Sequence, residues 1–329
     1  MTSQMRSAPE NVSLECRTDM VSVVVPSFSR LDRLMQCLDS VVRSEPQPPG
    51  GIEVIVITST YSDDEVAEIE KLGARVVRRD GTVWVSEARN IGAGAAGGEY
   101  LLFLDDDNTL APDAIWHLYQ SFLRWPETAV AGPVMYYGSV PLKIWCAGVS
   151  RSRVFMKTRL STSLPIPTPE RLESEDFPNC FMVRAKDFRN VHGFDVEDFP
   201  QHMEESDLAR RLRAQKGGYA YCVTAAKDWH YIGASFARRL HMHDARRAFW
   251  IARGRTFFTA VYGDRLQWFA YVAIGQWALA AVYLGATVLQ APDRIAVTLA
   301  YLRGMLAGFK LGTEARHKAR IGERALSID

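Results

Sequence analysis

The chain has 329 residues, of which 47% are apolar and 23% charged, and its formal net charge is +1. That is ample material for a buried core in one large domain or two ordinary ones, and the near-neutral balance argues against nucleic-acid binding as the main task. Five cysteines (16, 37, 146, 180, 222) lie far apart with no CxxC pair, so neither a zinc site nor a disulfide framework is indicated and a reducing compartment fits.

Residues 1–19 form a polar extension without the apolar run of a signal peptide, and the domain expected to carry the chemistry spans 20–235, on the cytoplasmic side. Met20–Pro26 reads as a buried strand. Leu31, Leu34, Leu38 and Val42 then recur at helical spacing. Ile52–Thr58 is a second buried strand, followed by a charged helix from about Ser62 to Leu72 and a short third strand at Ala74–Arg78. Ser86–Gly97 is small and helical, and Glu99–Leu104 is a fourth strand. Strands alternating with helices at this spacing imply an α/β fold with a mostly parallel central sheet flanked by helices. The glycines at 92, 94, 97 and 98 do not form a dinucleotide-binding loop.

A helix from Asp113 to about Trp125 and a strand at Thr128–Val134 are expected next, then an irregular, mobile loop from Tyr136 to Pro178. Phe181–Arg184 resumes as a strand, Glu204–Gln215 as a charged helix, and Tyr219–Val223 as a last short strand leading to His230. Residues 236–329 change character. Seven arginines (238, 239, 246, 247, 253, 255, 265) face two aspartates (244, 264), an excess suited to an anionic surface. The 25 residues Leu266–Gln290 carry no charge, and as a helix they would extend roughly 37 Å, longer than the roughly 30 Å core of a bilayer. Pro292-Asp293-Arg294 ends that run, and a second, weaker apolar face follows over Ile295–Leu311. A hairpin that spans, lies in or packs away from a membrane is compatible with this pattern, with lipids as partners in the first two cases.

The densest chemical signal is Asp105-Asp106-Asp107, delivered together by the fourth strand at its C-terminal end, where α/β sheets place ligands. Three carboxylates so close call for a counter-charge, and Mn²⁺ or Mg²⁺ holding a diphosphate would supply it. A solvated turn capping the next helix, with Asn108, Thr109 and Pro112 as start signals, is the plainer alternative. Glu204-Glu205-Ser206-Asp207 opens a helix whose dipole favours ionised carboxylates, one of which can act as a general base. His230 is a candidate metal ligand. Arg89 and Asn90 are candidates for phosphate or a sugar hydroxyl, and Pro26 and Ser27 for shaping a nucleotide pocket.

Four segments, VVVPSFSRLDRLMQCLDSV, SEARNIGAGAAGGEYLLFLDDD, VHGFDVEDFPQHMEESDLARRL and WHYIG, resemble in order the family 2 inverting glycosyltransferases of the GT-A (nucleotide-diphospho-sugar transferase) fold. The resemblance covers about residues 20–235. It implies a nucleotide-diphospho-sugar donor, a divalent metal, a metal or ribose role for Asp105 and Asp106, and a metal role for Asp107 and His230. Donor contacts from Pro26, Ser27, Arg30, Thr58, Arg89 and Asn90 are implied with it. The family's usual Glu-Asp pair is Glu204-Glu205 here, so Glu205 matches the catalytic base and Glu204 competes with it. The segment Thr58–Asp64 departs from the family's base-binding turn, and Asp63 or Asp64 would substitute. The C-terminal hydrophobic pair with LRGMLAGFKLG resembles membrane-associated members, which implies a glycan or polyprenyl-linked acceptor at the cytoplasmic membrane face. A sugar nucleotidyltransferase and a non-catalytic membrane scaffold are the rival expectations; donor sugar, nucleobase and oligomeric state are not encoded in these motifs.

Overall fold

A computed structural model describes residues 17–232, 244–290 and 293–326. The polar segment 1–16, Gly233, Arg238, Arg239 and Pro292 lie outside the described residues. The chain begins with β1 (Arg17–Pro26), α1 (Leu31–Val42), β2 (Ile52–Thr58), α2 (Asp63–Lys71), β3 (Arg75–Arg78), α3 (Val85–Ala95) and β4 (Gly98–Leu104). It continues through β5 (Asn108–Leu110), α4 (Ala114–Arg124), β6 (Thr128–Tyr137), β7 (Val140–Cys146), β8 (Val149–Arg151), β9 (Thr158–Leu160) and β10 (Arg171–Ser174). Then come β11 (Cys180–Arg184), α5 (Ala185–Asn190), α6 (Glu204–Lys216) and β12 (Tyr219–His230).

One sheet, in the order β10-β12-β6-β11-β4-β1-β2-β3, organises these elements, with β5 added to β12 and β7 to β6. The β3-β2-β1-β4 half is parallel, as the alternating pattern implied. Beyond β4 the sheet is mixed: β11 runs antiparallel to β4 and β6, and β12 parallel to β6. The apolar runs of β1, β2 and β4 are buried because helices cover both faces of the sheet. Gly92 on α3 lies so close to Val24 and Ile57 that a Cβ there would collide with both, so this helix packs against the sheet through a residue without a side chain. In α1 the buried stripe is Leu34, Cys37, Leu38 and Val41, with Val42 half-exposed, so the apolar face is rotated by one residue from the expected one.

Two sequence expectations are corrected here. The segment 136–178 is not one irregular loop: β6 runs on to Tyr137, and β7, β8, β9 and β10 follow. β7 is an edge strand whose first four residues are exposed, so it lacks the apolar alternation that marks a buried strand. Likewise Asn108 and Thr109 do not open a helix but pair with His230 and Trp229, and β12 runs seven residues past Val223 to make that pairing.

The C-terminal helices are α7 (Ala245–Tyr262), α8 (Arg265–Ala270) and, beyond a π-helical turn (Tyr271–Gly275), α9 (Gln276–Gln290) and α10 (Arg294–Leu326). Helix α10 lies along α7. Gly304, Gly308 and Gly312 make the approach, and a Cβ at Gly308 would stand 2.6 Å from the Arg253 carbonyl oxygen. Helix α7 in turn is fastened to the sheet-bearing half. Arg253 donates to the Asp198 carbonyl, the Tyr262 hydroxyl donates to Asp207 at 2.5 Å, and Gly254 faces the His202 carbonyl.

Candidate active site

The acid triplet sits at the C-terminal edge of the parallel strands. Pro26 ends β1 in register with Ile57, and the Ser27 amide donates to the Ile57 carbonyl at 2.9 Å. Ser27 Oγ then donates to Asp106 at 2.6 Å and shares a 2.7 Å hydrogen bond with the Tyr61 hydroxyl. Thr58, fully buried at the end of β2, receives the Thr60 amide on its hydroxyl. Asp63 and Asp64 lie beyond this rim in the first turn of α2, where Asp63 pairs with Arg78 in the open.

Each carboxylate of the triplet has its own partners. Asp105 meets the Arg89 guanidinium at 2.8 Å. Asp106 is paired with Arg30, and Asp107 meets Arg30 at 2.5 Å and His230 Nε2 at 3.5 Å. Burial pushes the Asp106 carboxyl up to about 6 against the pull of Arg30 and Ser27. Burial acts on Asp107 too, but there His230 and Arg30 outweigh it and hold the carboxyl at about 2. Cations of the chain itself, Arg30 and Arg89, thus already sit against the triplet.

Sequence reasoning missed Tyr61 and Asn179. The Asn179 amide nitrogen lies 3.0–3.2 Å from the His230 ring nitrogens, its carbonyl accepts the Asp105 amide at 2.9 Å, and its φ is +63°. Asparagine tolerates that left-handed backbone, and Pro178-Asn179 before β11 was the available signal. Trp145 from β7 packs against the His230 ring, with centroids 4.5 Å apart.

The second carboxylate pair arrives from α6. His202 (φ +64°) and Met203 (φ +69°) precede it, two consecutive non-glycine residues in the left-handed region. Such backbone is held only where surrounding contacts impose it. Here the Ser86 hydroxyl donates to the Pro200 carbonyl at 2.7 Å on one side, and α7 backs the loop on the other. The turn aims Glu204 and Glu205 at Arg89, which lies 3.5 Å from the first and 3.0 Å from the second. Burial raises both glutamates above the usual carboxylate range, with Arg89 pulling them back. Burial works against the charge on Arg89 as well, yet Asp105, Glu205 and Glu204 keep it more firmly protonated than an ordinary arginine. Among the described residues one buried oxygen of Glu204 has no hydrogen-bond partner, whereas the Glu205 side chain is 17% exposed.

Asn90 does not face the rim. Its amide nitrogen donates to the Phe194 carbonyl and its oxygen accepts the Phe194 amide, each at 2.9 Å, so both ends are committed to the Gly193-Phe194-Asp195 loop. That geometry corrects its expected place against phosphate or a sugar hydroxyl.

The expected metal set of Asp105, Asp107 and His230 is assembled only in part. Among the described residues no group of three or more His, Cys, Asp or Glu is arranged to hold an ion. The carboxylate–imidazole pair of Asp107 and His230 nevertheless suits Mn²⁺ or Mg²⁺, which take few protein ligands when phosphate oxygens and water complete the shell.

The family model described as "Glycosyl transferase family 2" matches residues 22–191. An "Uncharacterized glycosyltransferase" of Haemophilus influenzae is 32% identical over 95 residues, 29% of this chain and 31% of that protein. Glycosyltransferase GlyG of Streptococcus pneumoniae is 26% identical over 125 residues, 36% of this chain and 40% of that protein. A PGL/p-HBAD biosynthesis glycosyltransferase of Mycobacterium tuberculosis is 33% identical over 96 residues, 28% of this chain and 36% of that protein. The matched segments thus span well under half the length of these relatives. Among solved structures, GalNAc-T7 with UDP, GalNAc and Mn²⁺ superposes with a TM-score of 0.55 at 17% identity, covering 74% of this chain and 53% of that one, a likeness of fold.

Proposed function

The chain belongs to glycosyl transferase family 2 and has the GT-A fold, and from that premise we propose a single-displacement, inverting transfer of a sugar from a nucleotide-diphospho-sugar to an acceptor hydroxyl. The observation that carries this reading is the facing of two carboxylate groups across Arg89: Asp105 of the triplet on one side, Glu204 and Glu205 on the other. In this proposal the donor lies over the ends of β1, β2 and β4, with its diphosphate toward Asp107 and its sugar toward α6. Glu205, the more exposed of the pair, takes the proton of the acceptor hydroxyl as that oxygen attacks the anomeric carbon. Glu204, more deeply buried, holds Arg89 and thereby the orientation of Glu205. The bond from the anomeric carbon to the diphosphate oxygen breaks on the opposite face, so the configuration inverts. Asp107 and His230 would hold a divalent ion, which when bound supplies Lewis-acid stabilisation of the charge on the departing diphosphate.

The C-terminal helices support a membrane-facing acceptor. Two stretches, 265–285 and 294–318, are long and apolar enough to cross a bilayer by length and composition alone. Leu266, Phe269, Ile274 and Trp277 on one, and Ile295 and Leu306 on the other, are 58–74% exposed. Arg303 and Lys310 sit inside the second stretch, and crossing would cost roughly 2.5–3.5 kcal/mol for each near the bilayer centre. Helix α10 is also held lengthwise against α7. Docking in the plane of the membrane, apolar side down and basic residues at the headgroups, satisfies both facts. A lipid-linked glycan, polyprenyl-borne, is the acceptor this arrangement suits.

Incubating the chain with a panel of nucleotide sugars, Mn²⁺ and a lipid-linked acceptor tests the reading through its products. Release of nucleoside diphosphate with a β- from an α-linked donor, or the reverse, supports it. Retained anomeric configuration rejects inversion, pyrophosphate release points to nucleotidyl transfer, and no turnover with any donor favours a scaffold.

A further inference from the structure

Two arginines serve the acid triplet, and they differ in a way that assigns them different tasks. The Arg89 side chain is 1% exposed and holds three carboxylates on two elements. The Arg30 side chain, from the loop between β1 and α1, is 48% exposed, and among the described residues its ion pairs are with Asp106 and Asp107. Its backbone is pinned, since the Arg30 amide donates to the Tyr61 hydroxyl at 3.2 Å, and Asp106 is pinned separately by Ser27. The Arg30 side chain can therefore leave without unfastening its own loop or the Ser27–Asp106 hydrogen bond.

On Asp107 the two carboxylate oxygens are divided, one toward Arg30 at 2.5 Å and the other toward His230 at 3.5 Å. A divalent ion on that carboxylate repels a guanidinium held on its other oxygen. Resting on the metal-dependent reading above, we infer that Arg30 is an exchangeable counter-ion: it neutralises Asp106 and Asp107 in the empty chain, yields Asp107 to the incoming ion, and takes the donor's diphosphate as its new partner. A planar guanidinium that already spans two carboxylates has the fork needed to span two phosphate oxygens. The exchange couples the two ligands. An ion arriving alone costs Arg30 its pair with Asp107 and gives it no phosphate in return, and a diphosphate arriving alone meets crowded carboxylates. Each therefore raises the affinity of the other by the same factor. Metal-free donor and donor-free metal are both held weakly, which keeps the site from filling with an incomplete substrate.

The test is the Arg30→Gln substitution in the full chain, with Mn²⁺ titrated in the absence of nucleotide and unbound Mn²⁺ read by electron paramagnetic resonance. Removing the resident cation should tighten Mn²⁺ binding about fivefold, the scale of one half-exposed ion pair no longer having to break. The preformed Mn²⁺–pyrophosphate complex should bind the same variant about fivefold more weakly. Asp107→Asn should lose Mn²⁺ binding in either background. Mn²⁺ affinity equal to or weaker than that of the unsubstituted chain overturns the exchange, as does unchanged binding of the pyrophosphate complex. Arg30→Met, which keeps the stem of the side chain, carries the same expectations if the glutamine variant does not fold. If no variant nor the parent binds Mn²⁺ while sugar transfer proceeds, the exchange falls and the transferase reading stands; loss of transfer as well removes both.

Discussion

Arg89 donates to Glu205 at 3.0 Å while its other terminal nitrogen reaches Asp105 at 2.8 Å, so one buried guanidinium ties the proposed base to the acid triplet. The spacing between the triplet and Glu205 is thereby set by a single side chain on α3, whose close packing on the sheet through Gly92 leaves it little freedom.

The first consequence concerns pH. Burial raises the Glu205 carboxyl above its ordinary range and Arg89 opposes the rise. A base must be unprotonated, so the acidic limb of the kcat/KM profile should lie above the usual glutamate value of about 4.3. Arg89→Gln removes the opposing charge and should move that limb further up. For stability the sign is reversed: a carboxyl raised in the folded chain favours folding below its unfolded value, and that contribution is lost as pH rises through the folded one. A limb that stays put in Arg89→Gln, measured by initial rates across the pH range, would contradict this electrostatic link.

Glu205 and Glu204 should separate by substitution. Glu205→Gln is expected to lower kcat about 10³-fold with donor affinity nearly unchanged. Glu204→Gln, whose carboxyl is buried and keeps an unpartnered oxygen, should act mainly on stability and lower kcat by less than about tenfold. Rates and donor binding by isothermal calorimetry decide between them; the opposite ranking would make Glu204 the base.

Asn90 makes a two-point clamp on Phe194, and Phe194 packs edge-on against Phe103 of β4 with centroids 5.1 Å apart. Asn90→Ala should cost about 1–3 kcal/mol by urea unfolding, the range for two lost hydrogen bonds with buried partners. Substrate affinity should change only through the loop. A variant of unchanged stability with donor binding abolished would return Asn90 to the donor site.

For the membrane, Leu306→Glu and Ile295→Glu place charge on the exposed side of α10, away from its contacts with α7. Both should abolish flotation with vesicles containing anionic lipid while leaving thermal stability within a few degrees of the parent. Alkaline carbonate should release the parent protein from membranes, as expected for in-plane docking and not for a crossing helix. Resistance to carbonate would reverse the orientation argued here.

Much of the fold was legible because its central strands are buried on both faces and must be written in unbroken apolar residues: Met20–Pro26, Ile52–Thr58 and Glu99–Leu104 all became strands. The stretch from Val140 to Ser174 was illegible for the converse reason. Its strands are short and largely exposed; β7 simply returns on β6 through a tight turn, and β10 finds its partner only in the distant β12. In the site, the acid triplet and the two glutamates stood out because carboxylates crowd together in both places. Their link did not: Arg89 stood out for phosphate or a sugar hydroxyl, and only the fold brings it to carboxylates just past β4 and on α6. Arg30 entered through family likeness alone, and Asn179 acts through one backbone angle and a single amide.

The central claim is that the rim between Asp107 and His230 receives the ion that holds the donor's diphosphate, facing Glu205 across Arg89. Crystals of the full chain soaked with Mn²⁺ and a nucleoside diphosphate, chosen as the strongest stabiliser in a thermal-shift panel, test it by anomalous scattering at the manganese edge. The account predicts a manganese peak between Asp107 and His230, diphosphate oxygens on the ion, and Arg30 turned from the carboxylates to the diphosphate. Manganese or nucleotide bound elsewhere, with Arg30 still on Asp106 and Asp107, would contradict it.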